Sequence, residues 1–555
     1  MKKRILLLAI LGASIISCDK LDEVVYSSLT DANAFTTGEN AQAAVNSIYA
    51  PLRSLYREPM FYINDIAADT GFKDGNCFEV MNDEANYVDN RTETAWTLLT
   101  QIAARANIVI DKVPQMSDGL FRNGITKEQL LGEAYFMRAF AYMNLTDVFY
   151  RVPLITDSNI DPTAKEPLAS VKDIEKQIEN DLFNAKDYLP KSYASRDDAG
   201  RPTYGAACGY LARLYMRQAG RARLQGDADA ADYWNYALEE VNNVLALEGV
   251  QYSLQPSVWD VFDPTSEDKI YNNELIFAIR ASGSIVSGSW DLGLQFTSWD
   301  YDMGWGNMYQ PLEMTWKFDH ADQRYSVLQV VSYKNVYNPD KTLYKAAESI
   351  DKYGTVPSEH TYNGKTYTEV IEMSETFTQK YKFLNTWKYI YECPNNLPLL
   401  RLSDMILCKA EILNELHGPT QEAIDLINRI RKRAFQNDSH ALNLSDYSNT
   451  DELRNAICDE RMYELNLECV RRPDLIRMGL WKDRMSKYVT SIAKKYAWKE
   501  VNEGRESGYY NGAWQAYPKP ESLSDKDLRM YMPIPEREVL MNGTYKDARD
   551  YADNE

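Results

Sequence analysis

The sequence predicts a mainly α-helical fold interrupted by one irregular, loop-rich region. Three observations point there. Long stretches before residue 250 and after residue 398 carry apolar residues at helical spacing. A helix–turn–helix unit recurs on either side of the middle of the chain. Between the two copies, from about 252 to 398, the composition shifts to Gly, Ser, Asp, Asn, Tyr and Trp, with short alternating runs at 274–280 and 329–333 that suggest a few strands.

The chain of 555 residues opens on Lys2, Lys3 and Arg4, followed by the apolar run 5–16, the small residue Ser17 and then Cys18. A basic start, a short apolar run and a small residue at the cut predict an export signal over 1–17. A membrane span would need ~20 apolar residues. Ile15-Ile16-Ser17-Cys18 resembles the lipobox of bacterial lipoproteins, which implies lipidation of Cys18 and a stable anchor made of several acyl chains. Residues 18–35, with Asp19, Asp22 and Glu23 and no periodicity, read as the tether.

A single domain is expected over 36–555. Helical repeats fill about 36–250 and 398–490, an irregular binding region about 251–397, and a C-terminal segment about 491–555. Helices are predicted over 41–55, over 95–113 up to Pro114, over 126–149 with Thr126 as cap, and over 171–189 up to Pro190. In the recurring unit, Ala212-Arg213-Leu214-Tyr215 with Gly220 matches Ala410-Glu411-Ile412-Leu413 with Gly418 in spacing. Ala237 with Val241 and Val244 likewise matches Ala423 with Ile427 and Ile430. Small alanines stand where two helices must approach closely. The unit resembles a tetratricopeptide repeat, with an insertion at about 221–232 in the first copy, and such repeats stack to bury a shared core. One further helix is predicted over 452–470.

The net charge of −20, or −23 once Lys2, Lys3 and Arg4 are removed, argues against nucleic acid and against direct adhesion to anionic lipid. Cys208, Cys408 and Cys458 fall within helical apolar patterns and read as small core residues, while the pairing of Cys77, Cys393 and Cys469 stays open. No Cys-x-x-Cys pair occurs and the 4 histidines lack ligand spacing, so no metal site is expected. Asp65, Asp69 and Asp74 lack the spacing of a calcium loop, leaving a structural calcium without support.

The 39 tyrosines and 11 tryptophans are many for this length and suggest flat, amphipathic contact surfaces. They are densest at Trp290, Trp299, Tyr301, Trp305, Tyr309 and Trp316, interleaved with Gly304, Gly306, Asp300 and Asn307. A sugar ring offers an apolar C–H face to an aromatic plane and an edge of hydroxyls to Asp or Asn. This makes Trp290, Trp299, Asp300, Tyr301, Trp305, Asn307 and Tyr309 the candidate ligand-binding residues. A second segment, 62–87, carries Asn64, Asp65, Asp69 and Asn76. Tyr509, Tyr510 and Trp514 form a third aromatic group. Glu460, Glu464 and Glu468 recur every fourth residue. A glycosidase needs two carboxylates flanking the bond, ~5–9 Å apart, whereas one helical stripe points one way. These glutamates read instead as buried partners of Arg461, Arg471 or Arg472.

An ordered series of motifs resembles the SusD/RagB family. It comprises the lipobox at Cys18, Ala106-Asn107, Glu133 to Ala139, Val152-Pro153-Leu154-Ile155 and Pro202-Thr203. It continues with Glu460-Arg461-Met462-Tyr463-Glu464, Glu468, Arg472, Asp474 to Gly479, and Pro533 to Glu538. One departure is Tyr150-Arg151, where the family often has Gly-Asp. The resemblance implies four tetratricopeptide-like helix pairs with an irregular ligand-binding half. It also brings Asp65 and Asn76 of the early segment to the ligand. It implies a non-enzymatic surface lipoprotein without cofactors, anchored in the outer membrane, that binds oligosaccharides and delivers them to a SusC-like TonB-dependent transporter. The rival readings are peptide uptake by the same architecture, a secreted glycoside hydrolase, and a protein-binding scaffold.

Overall fold

The structure, a computed structural model, describes residues 35–71, 90–159, 164–265, 267–281, 290–297, 304–311, 314, 317–326, 328–330, 332–335, 338–344, 360–362, 365–367, 377–381, 394–488 and 528–545. Cys18 and its tether, Asn76, Trp299, Asp300, Tyr301, Trp316, Tyr509, Tyr510 and Trp514 lie outside these residues.

Helix α1 (Gly38–Tyr49) starts on Thr37, whose hydroxyl accepts from the Asn40 N–H. It stops before Pro51, which has no N–H to donate, so the stretch 41–55 is two helices rather than one, with Leu52–Leu55 resuming as a single turn. Helix α2 (Asn90–Lys112) packs on α1, and α3 (Lys127–Phe149) begins at Thr126, whose hydroxyl accepts from the Gln129 N–H. Helices α4 (Val171–Tyr188), α5 (Tyr204–Gln225) and α6 (Ala230–Leu245) follow. After the irregular region come α7 (Leu402–His417), α8 (Gln421–Phe435), α9 (Thr450–Leu465) and α10 (Arg471–Arg477), and later α11 (Glu536–Asn542).

The pairs α1–α2, α3–α4, α5–α6 and α7–α8 stack through α4 on α5 and α6 on α7, giving a helical-repeat body around one apolar core. Among the described residues no helix is long and apolar enough to cross a membrane. The two matched glycines do different jobs. Gly418, at φ 75°, ends α7. Gly220 lies inside α5, where a Cβ would overlap the carbonyl oxygen of Arg477, so it lets α10 lie close against α5.

The irregular region is joined to the body by strand β1 (Leu275–Ile279), antiparallel to β2 (Leu397–Arg401) with Leu275 opposite Arg401. Among the described residues, three further two-stranded ladders lie between them in sequence, the first pairing Gln329–Val330 with Phe377–Thr378.

The motifs spread along the sequence meet in space. Arg138 grips Asp181 with Nε at 2.8 Å and Nη2 at 2.7 Å, and its Nη1 donates to Asn107 Oδ1 at 2.9 Å. Asn107 Nδ2 donates to the carbonyl of Ile155 at 2.9 Å, as does Tyr142 OH at 2.8 Å. Glu133 accepts from Tyr49 OH at 2.7 Å and from Arg201 at 2.7 Å. These are buried, fully engaged groups that fix how α2, α3, α4 and the 152–155 turn lie together.

The helix expected over 452–470 ends at Leu465. Residues 466–470 form a turn with Leu467 at φ 56° and Cys469 at φ 60°. Side chains from elsewhere hold it. Lys380 Nζ donates to the carbonyls of Glu464 and Asn466, each at 2.8 Å, and Tyr381 OH to that of Leu467 at 2.7 Å. Asp65 accepts the Cys469 N–H at 2.8 Å.

Glu460, Glu464 and Glu468 are buried, but their partners differ from those expected. Glu464 meets Arg401 at 2.5 Å, Arg324 at 3.3 Å and Arg433. Glu460 meets Arg324 at 2.6 Å, and Glu468 meets Lys380 at 2.7 Å and Arg401 at 2.8 Å. Arg461 pairs with Asp404 and Asp474, Arg471 with Asp69, and Arg472 donates to the carbonyl of Met530 at 2.9 Å. Burial alone would raise the Glu464 carboxyl, but the guanidinium groups of Arg433, Arg401 and Arg324 outweigh it and hold the group well below its ordinary range. Because Arg324 and Lys380 belong to the irregular region, this network bolts that region onto the helical body.

Candidate ligand-binding surface

The site builds on a short contact within the irregular region, where the segment 304–308 lies against the helical turn Leu292–Gln295 and its exit at Thr297. The Trp305 N–H donates to the Leu294 carbonyl at 2.8 Å, and the Gly306 N–H to that of Thr297 at 2.8 Å. An approach this close needs glycine. A Cβ on Gly304 would overlap the Thr297 carbonyl oxygen, and Gly306 sits at φ 58°. Asn307 closes the contact by donating from Nδ2 to Gln295 Oε1 at 2.7 Å.

On this scaffold Trp305 is half-buried. Arg57 lies over its ring, with the guanidinium carbon 5.5 Å from the centroid, and is itself held by Asp291 at 2.6 Å. Arg57 is half exposed while Asp291 is buried. One residue cluster away, Tyr62 OH donates to the Asn307 carbonyl at 3.4 Å, and the Arg91 guanidinium covers the Tyr62 ring at 3.8 Å while pairing with Glu58 at 3.3 Å. The early segment and the aromatic loop, two separate candidates in the sequence, therefore meet at one surface. Among the described residues, the opposed charges of Arg57 with Asp291 and of Arg91 with Glu58 balance one another at that surface, which suits a ligand without net charge.

Not every expected residue faces outward. Trp290 is 1% exposed, its indole N–H donating to the Asn395 carbonyl at 2.9 Å, so its ring is core and offers no face to a ligand. Asp65 is 0% exposed and committed to Cys469. Burial lifts its carboxyl to about 7, even though the Cys469 N–H pulls the other way. Tyr309 is half-buried, its ring 5.5 Å from that of Phe377. Trp305, Asn307 and Tyr309 are thus partly buried neighbours along one segment, while Trp290 and Asp65 are buried. Sequence reasoning missed Arg57, Glu58 and Arg91. Their only signal was proximity to the early segment, and nothing in the spacing of Arg57 announces a partner at Asp291.

The carboxylates at 460, 464 and 468, at 2%, 0% and 4% exposure, are committed to cations and present no acid–base pair to a substrate. Among the described residues no group of three or more His, Cys, Asp or Glu is placed to hold a metal ion. A separate cavity of about 390 Å³ lies inside the helical body, and neither Trp305 nor Arg57 lines it.

Two family models match the chain, one described as the SusD family over residues 295–551 and one as starch-binding associating with outer membrane over residues 21–216. The SusD-like protein P2 of Formosa agariphila is 26% identical over 515 residues, covering 86% of this chain and 91% of that protein. A SusD-like protein of Bacteroides ovatus is 23% identical, covering 98% of this chain and 97% of the other. Among solved structures, a SusD homolog from Bacteroides thetaiotaomicron superposes with a TM-score of 0.66 at 19% identity, covering 94% of this chain and 98% of its own. The surface glycan-binding protein A from the same organism, solved in complex with laminarihexaose, gives 0.65 at 18% identity, covering 93% and 100%.

Proposed function

We propose that this chain, which belongs to the SusD/RagB family, is a non-enzymatic lipoprotein of the outer membrane that captures oligosaccharides and hands them to a TonB-dependent transporter. Lipidation at Cys18 provides the anchor, and the acidic body faces the outside of the cell. The observation that carries the binding reading is the joining of Arg57, Trp305 and Asn307 at one balanced surface. A half-buried indole beside a planar guanidinium covers the C–H face of a sugar, and the free donors of Arg57 reach its hydroxyls. The expected ligand-binding residues Trp299, Asp300, Tyr301 and Asn76 would complete it. Capture followed by release calls for moderate affinity, which a shallow surface with few rings provides.

The test is calorimetric titration of the chain lacking residues 1–18 against neutral oligosaccharides and peptides, with and without Trp305→Ala. Saturable glycan binding lost in the variant supports the reading. Peptide binding without glycan binding replaces the ligand class, and release of reducing sugar would replace capture by catalysis. Co-purification of a transporter with the lipidated chain tests the delivery step.

A further inference from the structure

Asp65 is buried, yet it joins two turns that both grip the candidate surface. It lies on the π-helical turn Tyr62–Ile66, an arrangement frequent at functional sites. Its Oδ2 accepts the Cys469 N–H at 2.8 Å, which ties that turn to the one at 466–470. Each turn holds the 304–310 segment. From the first, Tyr62 OH donates to the Asn307 carbonyl at 3.4 Å. From the second, Asn466 Oδ1 accepts from Gln310 Nε2 at 2.8 Å, both residues being buried. The scaffold of Trp305 is tied in as well. Phe296 stands between Gln295 and Thr297, whose carbonyls accept from the 306–308 backbone. Its ring lies 5.2 Å from that of Tyr381, and Tyr381 OH donates to the Leu467 carbonyl at 2.7 Å.

The second turn does not hold itself. Leu467 and Cys469 stand at φ 56° and 60°, where non-glycine residues persist only when their surroundings fix them. The fixing groups carry charge. Lys380 Nζ meets Glu468 at 2.7 Å and the carbonyls of Glu464 and Asn466, each at 2.8 Å. Facing Asp65 are the Cys469 thiol, Glu468, Lys380, the Tyr381 phenol and, at 3.5 Å, the Thr70 hydroxyl. Burial is the strongest influence and disfavours an ionised Asp65. The Cys469 N–H and Lys380 work the other way, and Glu468 sides with burial. An ionised Asp65 would compete for Lys380 and repel Glu468, disturbing both groups that fix the turn. The closed arrangement therefore keeps the proton up to about pH 7. An opened, hydrated one releases it at the ordinary aspartate value of about 4.

We propose that Asp65 is a positioning residue of the Trp305 surface, and that the proton it keeps in the closed arrangement sets how firmly the 304–310 segment is held. The proposal rests on the reading of that surface as the binding site, but its test adds no ligand, so a failed glycan titration and a failure here are told apart. The experiment is hydrogen exchange of the full chain, read by mass spectrometry on peptides that contain the Trp305, Gly306, Asn307 and Met308 amides. These amides are bonded to the carbonyls of Leu294, Thr297 and Gln295. After correction for intrinsic exchange, their protection should fall roughly 30-fold between pH 5 and 7 and level off above, as a single linked proton requires. Asp65→Asn, which has no proton to lose, should flatten that fall to within about twofold. Tyr62→Phe combined with Gln310→Leu cuts both links from the turns to the segment. It should remove the pH dependence of these amides while the melting temperature still falls with pH, and it keeps the test decisive if Asp65→Asn folds poorly. Protection that does not change with pH in the parent chain overturns the proposal. So does a fall that persists in Asp65→Asn, or one that persists once both links are cut, since Asp65 would then act on stability alone.

Discussion

Arg57 donates from Nε to Asp291 Oδ2 at 2.7 Å across 234 residues of sequence, and the same guanidinium lies against Trp305. One side chain thereby fixes the early segment, the aromatic loop and the half-buried ring relative to one another. Asp291→Ala should free Arg57 and let Trp305 wander, lowering glycan affinity about tenfold through lost preorganisation. Arg57 is half exposed, so the pair adds at most ~1 kcal/mol to stability. Calorimetry should therefore show a large fall in affinity with little change in melting temperature. Unaltered affinity would remove Trp305 from the site.

Glu464 is the junction between the irregular region and the repeats. Glu464→Ala strands Arg401, Arg433 and Arg324 in a buried setting with one acid fewer. Breaking a buried ion network this way costs about 3–5 kcal/mol. Urea unfolding followed by tryptophan fluorescence should show a much lower midpoint. A midpoint within experimental error of the parent chain would mean that the network is dispensable.

The repeats were legible because their signal is local. Thr126 caps α3 where its side chain and spacing say it should, and the apolar period carries α2 to α6. The family motifs were legible too, but as fold rather than site, since Asn107, Arg138, Glu133 and Glu464 are buried structural groups. The 466–470 turn was not legible, because side chains more than 80 residues away, Lys380 and Tyr381, take carbonyls that a continuing helix would have used. Trp290 was misplaced for a related reason. An aromatic loop needs its own core, and composition does not tell the ring beneath from the ring on top.

Asp65 and Asp69 should give opposite pH signatures. Asp65 is lifted by burial from 3.8 to about 7, so in the folded chain it keeps its proton to higher pH than in the unfolded one. Its contribution is full below pH 4 and is lost as pH rises through about 7, a change of up to about 4 kcal/mol. Burial opposes ionisation of Asp69, but Arg471 prevails and lowers it from 3.8 to about 2. Its stabilisation is present above pH 4 and fades as pH falls through about 2. Asp65→Asn should therefore flatten the fall in stability between about pH 4 and 7 while leaving acid unfolding unchanged. Melting temperatures of both chains across that range check it, and parallel curves would refute it.

Cys208, Cys408, Cys458 and Cys469 are all buried and unbonded. Burial pushes the Cys208 thiol up to about 12, with Glu240 adding to it, and burial likewise raises the other three. The thiolate is the reactive form, so at pH 8 these groups are almost wholly unreactive and also shielded from reagent. Cys469 is the informative one, since its turn is held by Asp65 and Tyr381 rather than by a helix. Iodoacetamide at pH 8, read by peptide mass spectrometry, should leave all four unmodified in the folded chain and modify all four in denaturant. Rapid labelling of Cys469 alone would show that the turn opens readily and that the Asp65 contact does not hold it.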